Sequence, residues 1–544
     1  MQTFNSARRE LLKLSGMGLA AAAVTMPSAY ASTPSGTSAP ILFDIRTYGA
    51  VGDGKTVDSP AINKAIEAAA AVGGGTVIVP SGTWVCFSIR LKSHVSIYLA
   101  QGATILAADS PLPGETTGYK GGTYDAAEPN TVWDAYQDYG HNHWHNSLFW
   151  GEGLDDLSIT GPGLIHGKGL SHGRGRGHDV DIAPFVAEQP GVGNKAIALK
   201  NCRNVIFRDF SILKGGHFGL LLTGVDNLTI DNLTIDTDRD GMDIDCCKNV
   251  RVSNCSVNAP WDDAICPKSS YALGYAKPTE NMTITNCIVT GSYVLGSVLD
   301  GTFKKYGSDA KIPRNGRIKC GTESNGGFKN ITISNCVFEG CEGLALESSD
   351  GALCEDITIS NLTMRDLVSA PLFFRLNARL RGPKESTQVG TLQRILVDNV
   401  TSYDCNARIC SILSGIPDHA IQDVKLSNIY LHHKGGFHSE WLKVVPPELV
   451  DKYPDPSPFG PLPSQGLYLR HVRNLELGHV EVAASAPDPR PSFYLQDVHR
   501  ADFIAVTAPP GQPAFTLNEV TDLRILISRA APDTILATAD NKTL

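Results

Sequence analysis

A short strand-like unit recurs along this chain, and this repeat constrains the fold more than any other feature. Each unit alternates apolar and polar residues with the period of a β-strand. The units favour Ile, Val and Thr, and the shortest spacings are about 22 residues. They are NVIFRDFSI from Asn204, NLTIDNLTI from Asn227, NVRVSNCSV from Asn249, NMTITNCIV from Asn281, NITISNCVF from Asn330, DITISNLTM from Asp356, DVKLSNIYL from Asp423 and NLELGHVEV from Asn474.

Repeats of this length predict a solenoid in which each unit stacks on the next. Leucine-rich repeats are disfavoured, because Leu does not dominate the units and no helical segment separates them. We therefore predict an all-β fold, a right-handed parallel β-helix that forms one domain over residues 41–535. Residues 536–544 are expected to form a C-terminal tail. A single repeat domain also explains why so long a chain shows no internal break in composition.

A β-helix has open apolar ends, and the sequence offers a cap for the N-terminal one. Asp-Ser-Pro followed by AINKAIEAAAAV predicts a short helix, in which Asp58 or Ser59 caps the first turn and the proline suits it. Ile62, Ile66 and Ala69 form an apolar stripe. We expect this stripe to lie on the first coil.

The first residues are typical of an export signal. Arg8 and Arg9 precede a weakly apolar run that ends in Ala-Tyr-Ala, so residues 1–31 are interpreted as a twin-arginine signal peptide and residues 32–40 as a flexible segment. An amphipathic helix of the mature protein is the alternative. We expect a periplasmic or secreted protein. No later run is apolar enough to span a membrane, and the charge of −9 without a basic stripe argues against nucleic-acid binding.

The chain has thirteen cysteines, an odd number. Some of them follow asparagine at the same position of the repeat, namely Cys202, Cys255, Cys287 and Cys336. We expect these thiols to stack inside the coil beside an asparagine ladder. Disulfides from Cys246, Cys247 or the Cys336 and Cys341 pair stay open. Zinc binding is not expected, because no paired CxxC with histidine partners occurs.

Carboxylates gather where the repeat is interrupted, in DRDGMDID at 238–245 and in WDDAICPKS at 261–269. The two clusters are about one repeat apart, so coiling would bring Asp240 beside Asp262 and Asp263. Three carboxylates in one cleft suit glycosidic bond hydrolysis, because one can donate a proton while the others activate water. The remaining aspartates of the first cluster are expected to cap turns.

Several segments together resemble glycoside hydrolase family 28, the polygalacturonase family. They are FDIRTYGAVGDGKTVDSPAINKAI, GGGTVIVPSGTW, ITGPGLIHGKG, DGMDID, WDDAICPKS and GTESNGGFKNI, between about 43 and 365. The opening segment is shared by several β-helix families, whereas the ordered aspartate motifs are more specific. The resemblance implies an inverting hydrolase in which Asp262 is the acid and Asp240 and Asp263 are the base pair.

The chain departs from the family at two substrate-binding motifs. Aligning GTESNGG with the family's Gly-Ser-Glu segment makes Glu323 a candidate and puts Gly316 in place of the histidine of Gly-His-Gly. In the next coil Glu347 replaces the lysine of Arg-Ile-Lys and would repel a uronate. A literal Arg-Ile-Lys lies one coil early, so Arg317 and Lys319 either recover carboxylate binding or are surface charge.

Other residues are candidates for the rim or floor of the cleft. Lys268 would orient Asp263 or the substrate, with a solvated lysine as the alternative, and His217 stands where the family often has Trp. HNHWHN at 141–146 and HGRGRGH at 172–178 are interpreted as cleft-edge loops. The insertion 291–315 is long enough to wall one end of the cleft, which would make the enzyme exo-acting.

These observations predict a secreted glycoside hydrolase that needs no cofactor or metal and acts on pectin or a related acidic plant polysaccharide. One alternative is a β-elimination lyase, which usually needs Ca²⁺, and DRDGMDID could pass for a calcium site. A second alternative is a non-catalytic glycan-binding β-helix. The oligomeric state stays open.

Overall fold

The computed structural model describes most of the chain after the predicted signal. The described residues are 42–112, 115–118, 121–138, 140–171, 189–436 and 438–544. Three sequence interpretations lie outside the described residues: the export signal 1–31, the flexible segment 32–40 and the HGRGRGH loop 172–178.

Strands account for nearly all of the regular structure in the described part of the chain. The only α-helix there is α1, Ser59–Ala71. Short 3-10 helices cover Ile45–Tyr48, Asp134–Tyr136, Ser439–Lys443 and Ser457–Phe459. The strands are β1 Leu42–Asp44, β2 Asp53–Val57, β3 Gly75–Val79, β4 Gly82–Cys86, β5 Ile89–Arg90, β6 Val95–Leu99, β7 Ala103–Ala107, β8 Phe149–Glu152, β9 Asp155–Thr160, β10 Leu164–His166, β11 Lys195–Lys200, β12 Arg203–Arg208, β13 Ser211–Leu213, β14 Phe218–Thr223, β15 Asp226–Asp231, β16 Thr234–Asp236, β17 Asp240–Asp245, β18 Lys248–Ser253, β19 Ser256–Asn258, β20 Ile265–Lys268, β21 Thr279–Thr285, β22 Ile288–Thr290, β23 Lys319–Cys320, β24 Phe328–Ser334, β25 Val337–Glu339, β26 Leu344–Ser348, β27 Leu353–Arg365, β28 Leu372–Leu376, β29 Thr391–Cys405, β30 Ser411–Ser414, β31 Ile421–His433, β32 Leu467–Ala484, β33 Phe493–Ile504, β34 Phe515–Leu526, β35 Thr534–Ala539 and β36 Lys542–Thr543.

The strands stack in register from coil to coil, as the repeat predicts. Equivalent apolar residues of successive units pair directly: Val205 with Leu228, Leu228 with Val250, Val250 with Met282, and Met282 with Ile331. Their side chains are buried, so each coil closes the apolar surface of the one before it. The predicted parallel β-helix is confirmed.

The list of units from the sequence missed several coils, and one of them lies between two predicted units. Ile395 pairs with Ile357 on one side and with Val424 on the other, so the segment RILVDNVTS is a further unit of the same ladder. This unit begins with Arg394, whereas the predicted units begin with asparagine or aspartate, so the search for that first residue did not find it.

A six-stranded sheet, which we call the cleft sheet, carries the functional segments. Its strands lie in the order β5, β8, β11, β14, β17 and β20. A parallel bridge between Ile265 and Ile318 continues this face to β23, which pairs with β26. The two aspartate clusters and the Arg-Ile-Lys segment therefore lie on neighbouring coils of one face.

The predicted capping helix is confirmed, although its cap is made differently. Ile62, Ile66 and Ala69 are buried in the core, as expected of a stripe that covers the first coil. Asp58 is the N-cap residue, but its carboxylate accepts hydrogen bonds from the backbone N–H groups of Val51 and Gly52 instead of the helix. The side chain of Asp58 thus fixes the preceding loop.

Asparagine ladders and buried thiols fill the predicted positions of the repeat. The Asn227 amide donates to Asn204 at 2.8 Å, and equivalent bonds join later coils, from Asn281 to Asn249 and from Asn330 to Asn281. All thirteen cysteines are buried and free, so the disulfides left open by the sequence are not formed. The stacked thiols are structural, as predicted.

The C-terminal end differs from the sequence interpretation. The predicted boundary at 535 falls inside β35, and both β35 and β36 pair antiparallel with β34. Residues 536–544 therefore continue the sheet instead of forming a free tail, because they hydrogen-bond to the last coil. No helix in the described residues is long and apolar enough to cross a membrane.

Candidate active site

A cleft with a volume of about 740 Å³ lies over the cleft sheet where the two aspartate clusters meet. The coils supply its floor, and loops that leave the coils supply its rim. The lining residues are Asp138, His141, His217, Arg239, Asp240, Trp261, Asp262, Asp263, Lys268, Asn315, Arg317, Lys319, Tyr453, Asp455, Ser457 and Pro458. Most of the residues predicted from sequence line this one cleft.

The coil brings the three predicted carboxylates together. Asp240 begins β17, whereas Asp262 and Asp263 lie in the turn that precedes β20, the next strand of the sheet. One carboxylate oxygen from each residue lies within 4.8 Å of the other two. Asp240 and Asp263 are almost fully buried, and the side chain of Asp262 is 20% exposed. Asp262 is therefore the member of the trio that is most open to a ligand.

Asp263 is held in its ionised form by two cations from the next coil. The Lys319 ammonium lies 2.5 Å from one carboxylate oxygen, and Arg317 Nε donates to the other at 2.9 Å. Burial opposes ionisation, but Lys319 and Arg317 outweigh it and hold the pKa of Asp263 well below its usual range. Asp263 is therefore an anion near neutral pH.

Asp240 has the opposite character. Burial and the repulsion from Asp262 raise the pKa of Asp240 to about 8. The nearest cation, Arg239, lies 2.8 Å from Asp262 and 3.9 Å from Asp240, so it favours the charge on Asp262. The resemblance assigns the acid role to Asp262, whereas burial and the neighbouring charges favour a proton on Asp240.

The early Arg-Ile-Lys segment does reach the cleft. Arg317 and Lys319 both line it, although each is only 2% exposed. Besides Asp263, Arg317 contacts Glu342 at 2.6 Å and lies 4.0 Å from Glu347. These cations are therefore bound to carboxylates of the protein, and their role as surface charge is ruled out.

Glu347 lies behind the cleft instead of in it. The residue is fully buried and does not belong to the lining of the cleft, where the sequence analysis placed it. Neither carboxylate oxygen has a hydrogen-bond partner among the described residues. Burial raises the pKa of Glu347 to about 7. Its position beneath β23 makes it a weak counter-charge to Arg317.

Glu323 is also buried and does not line the cleft, although the sequence analysis made it a candidate for substrate binding. Its carboxylate binds the imidazole of His141 and accepts the backbone N–H of Asp138 at 2.8 Å. Both partners belong to a loop at the rim. Glu323 therefore fixes this loop on the coil and positions His141 in the cleft.

Lys268 and His217 line the cleft as predicted. The Lys268 ammonium lies 3.8 Å from Asp243 and 3.5 Å from the carbonyl oxygen of Gly321, so it binds the floor and not Asp263. His217 is 2% exposed, and its ring meets Phe218 edge-on at 4.4 Å between centroids. Either side chain can reach a ligand that lies on the floor.

The HNHWHN segment divides between two places. His141 belongs to the rim of the cleft, which confirms the predicted cleft-edge loop for that residue. His145 lies elsewhere, with Glu152 at 3.0 Å and Glu128 at 3.6 Å. Lys200 also contacts Glu152, so this second cluster is an ion-pair network.

The predicted insertion forms a second recess beside the cleft. This recess has a volume of about 450 Å³ and is lined by Val294, Leu295, Tyr306, Ala310, Lys311 and Ile312 of the insertion together with Lys214 and Trp261. Trp261 belongs to both spaces and meets Tyr306 edge-on. The insertion thus stands at one side of the cleft, next to Asp262 and Asp263.

Sequence reasoning missed several cleft residues. Arg239 lies between two aspartates of the first cluster, and that alternation of charge was its only signal. Tyr453 and Asp455 come from the proline-rich segment YPDPSPFG, which is far away in sequence. The Tyr453 hydroxyl accepts a hydrogen bond from Thr322 at 2.8 Å, which anchors that loop to the coil of Arg317.

The first aspartate cluster does not present a free calcium site. Asp243 contacts Lys268 and His141, and Asp245 accepts hydrogen bonds from the backbone and hydroxyl of Ser270. Ammonium and guanidinium groups occupy positions from which they would repel a cation. Asp245 fixes a turn, as the sequence suggested, whereas Asp243 belongs to the ion pairs of the floor.

Comparisons with known proteins agree with this geometry. The family model described as glycosyl hydrolases family 28 matches residues 126–301, which include all three aspartates. The model described as rhamnogalacturonase A/epimerase, pectate lyase-like, matches residues 42–149. The chain is 23% identical to a probable polygalacturonase of Vitis vinifera over 77% of this chain and 80% of that protein. It is 23% identical to an exopolygalacturonase of Arabidopsis thaliana over 73% of this chain and 81% of that protein.

Solved structures support the fold. A family 28 exopolygalacturonase of Yersinia enterocolitica superposes with a TM-score of 0.53 at 16% identity, over 90% of this chain and 78% of that chain. A hyperthermoactive exopolygalacturonase of Thermotoga maritima gives a TM-score of 0.51 at 17% identity, over 72% of this chain and 87% of that chain. The predicted resemblance to family 28 and the prediction of a glycoside hydrolase are confirmed.

Proposed function

We propose that this glycoside hydrolase cleaves pectin or a related acidic plant polysaccharide from its chain ends, with inversion at the anomeric carbon. The observation that carries the proposal is the trio Asp240, Asp262 and Asp263, whose members differ in charge although they share one cleft. Hydrolysis of a glycosidic bond needs both a protonated and an ionised carboxyl group, and this trio supplies both near neutral pH.

Asp240 and Asp262 act as a pair that holds one proton. Their charges are coupled, since Asp262 is the main electrostatic cause of the raised pKa of Asp240. The proton rests on Asp240 in the empty cleft, while Asp262 is the more exposed of the two. We assign the acid function to this pair, which donates its proton to the leaving glycosidic oxygen as the bond to the anomeric carbon breaks.

The water that attacks the anomeric carbon is activated by the ionised carboxylates of the same trio. Asp263 is always charged and accepts a hydrogen bond from that water, and the proton released from water returns to the trio. The trio therefore begins and ends each turnover with one proton. Inversion rests on the resemblance to family 28. The oxygen separation within 4.8 Å is shorter than the roughly 6.5–9.5 Å usual between the two carboxyl groups of inverting enzymes.

The rim of the cleft favours attack at chain ends. The insertion 291–315 stands on one side at Trp261, and the loop that carries Tyr453 and Asp455 stands on another. A polysaccharide threaded through an open groove would need both sides free. The relatives named exopolygalacturonases support the same proposal.

Export belongs to the proposal as well. The sequence of residues 1–31, with Arg8 and Arg9 before a weakly apolar run, supports a twin-arginine signal and therefore a periplasmic or secreted enzyme. A polymeric plant substrate cannot enter a cell, so export and substrate agree.

The test is incubation of the purified protein with pectic polysaccharides, followed by two readings. Hydrolysis creates new reducing ends without ultraviolet absorbance, whereas a lyase would also create an absorbing double bond. We expect reducing ends alone, and their loss in the Asp240→Asn variant. Equal activity of that variant, or an absorbing product, would overturn the proposal, and a protein that gives neither product is a binder.

A further inference from the structure

The charges that line the cleft are arranged for a neutral sugar. We propose, on the basis of the function proposed above, that the sugar residue whose bond is cleaved carries no carboxylate, although the polysaccharide around it can be acidic. A sugar acid needs a cation that is free to bind it. In the described residues, each lysine and arginine of the cleft already lies within 3.8 Å of a carboxyl group of the protein. These pairs are Arg239 with Asp262, Lys268 with Asp243, Arg317 with Asp263 and Glu342, and Lys319 with Asp263.

The Arg317 and Lys319 site shows the arrangement most clearly. Two buried cations face Asp263 and Glu342, and Glu347 lies behind them. The two cations are therefore already matched by two carboxylates of the protein. A sugar carboxylate could bind Arg317 only by displacing Asp263 or Glu342, and either displacement would leave a charge without its partner in a buried place.

Asp455, which also lines the cleft, adds a further carboxylate. It accepts hydrogen bonds from the backbone and hydroxyl of Ser457 but forms no ion pair with any residue that the structure describes. The electrostatic effect of Asp455 extends to the Arg317 and Lys319 site. Burial is the main cause of the raised pKa of Glu342, and the charge of Asp455 raises this pKa further. The uncompensated charge at the cleft is thus an anion, which repels a uronate.

A neutral sugar meets none of these penalties. Its hydroxyl groups can donate hydrogen bonds to Asp262, Asp263 and Asp455, because ionised carboxylates only accept. Binding of sugar hydroxyl groups in this way does not require any ion pair of the cleft to break. The same cleft therefore binds a neutral sugar with its existing charges and rejects an acidic one.

The experiment separates released products by charge. The full-length protein is incubated with pectin and with rhamnogalacturonan, and the released monosaccharides are resolved by anion-exchange chromatography. Neutral sugars are expected, with no uronic acid above the enzyme-free blank. Release of a uronic acid monomer overturns this inference but leaves the proposed hydrolase intact. Release of no sugar from either polymer overturns the proposed function, and the inference with it.

A pair of variants tests the role of Asp455. Galacturonate and glucuronate are compared with galactose and glucose as inhibitors of sugar release. In the wild type we expect neither acid to bind more tightly than its neutral counterpart. Asp455→Asn should tighten inhibition by the acids about two- to fivefold, the scale of one partly exposed charge. Asp451→Asn is the matched control, because Asp451 is exposed on the same loop and pairs only with Lys452. An acid that binds the wild type tenfold better than its neutral counterpart contradicts the inference.

Discussion

The asparagine ladder and the cleft sheet are built from the same repeat, yet they use polar residues in opposite ways. In the ladder, Asn254 donates to Asp231 at 2.8 Å and accepts from Asn286 at 3.3 Å, at the exposed edge of the coil. In the cleft sheet, Asp263 and Lys319 are buried, and unlike charges meet across neighbouring coils. One region repeats short polar side chains, mostly asparagine with some aspartate, and the other places different charged residues on neighbouring coils.

The difference separates structure from function within one scaffold. A repeated amide satisfies its neighbours in both directions, so it needs no ligand and supports only the fold. Buried charges cost desolvation energy. In this cleft, burial and the neighbouring charge of Asp262 raise the pKa of Asp240, whereas Lys319 and Arg317 lower the pKa of Asp263 in spite of its burial. Acid and base catalysis within one trio requires that its carboxyl groups differ in pKa in this way.

Replacing Asp240 or Asp262, the pair that holds the proton, should reduce turnover more than any other change. Asp262→Asn and Asp240→Asn each break the pair that holds the proton, so we expect turnover to fall by roughly 10² or more while the fold remains. Reducing-end release from pectic polysaccharides measures turnover, and circular dichroism checks the fold. If both variants work as fast as the wild type, the trio is not catalytic.

Asp263→Asn should damage stability as well as activity. It leaves Arg317 and Lys319 buried with fewer counter-charges, at a cost of about 3 kcal/mol in the free energy of unfolding. Asp262→Asn is the control, because Asp262 is more exposed and has a single close cationic partner. Unfolding in urea compares the two. Equal free energies would mean that the buried ion pairs do not set Asp263 apart.

The activity should depend on pH through Asp240. Because burial raises its pKa to about 8, Asp240 carries a proton below that pH and loses it above. We expect kcat/KM to decline about tenfold per pH unit above pH 8. Glu347 titrates nearby, with a pKa of about 7, so Glu347→Gln serves as the control and should keep the same decline. A decline that vanishes in this variant would assign it to Glu347.

A change in the ladder should affect stability alone. Asn254 adopts a left-handed backbone with φ +58°, so Asn254→Ala loses two hydrogen bonds and strains the turn, at a cost of about 1–2 kcal/mol. Asn254→Gly removes the same amide without the strain and should cost less. Neither variant should change kcat. A loss of turnover in either would mean that the ladder and the cleft are coupled.

Chelation should have the smallest effect. The trio is surrounded by Arg239, Lys268 and Lys319, which supply positive charge without a metal ion. Activity after exhaustive EDTA treatment is expected to equal that of the untreated enzyme. Loss of activity that Ca²⁺ restores would favour the lyase alternative.

The repeat made the fold predictable, because the units from Asn204 to Asp356 pair in the register that their spacing implies. It also predicted that Asp240 would meet Asp262 and Asp263. Burial at the next two coils was not predictable, since alternation alone could not show that Glu323 and Glu347 lie behind the cleft. Asp455 could not be placed either, because a long loop of irregular sequence carries it to the rim.

The central claim is that the trio hydrolyses a glycosidic bond with inversion. Proton NMR recorded during the first turnovers on a pectic oligosaccharide tests it most directly, because the anomeric signal identifies the configuration of the newly released sugar. The account predicts a hydrolysed product whose anomeric configuration is opposite to that of the cleaved bond, with no vinyl proton. A product of retained configuration, or a vinyl proton from an unsaturated uronate, would contradict it.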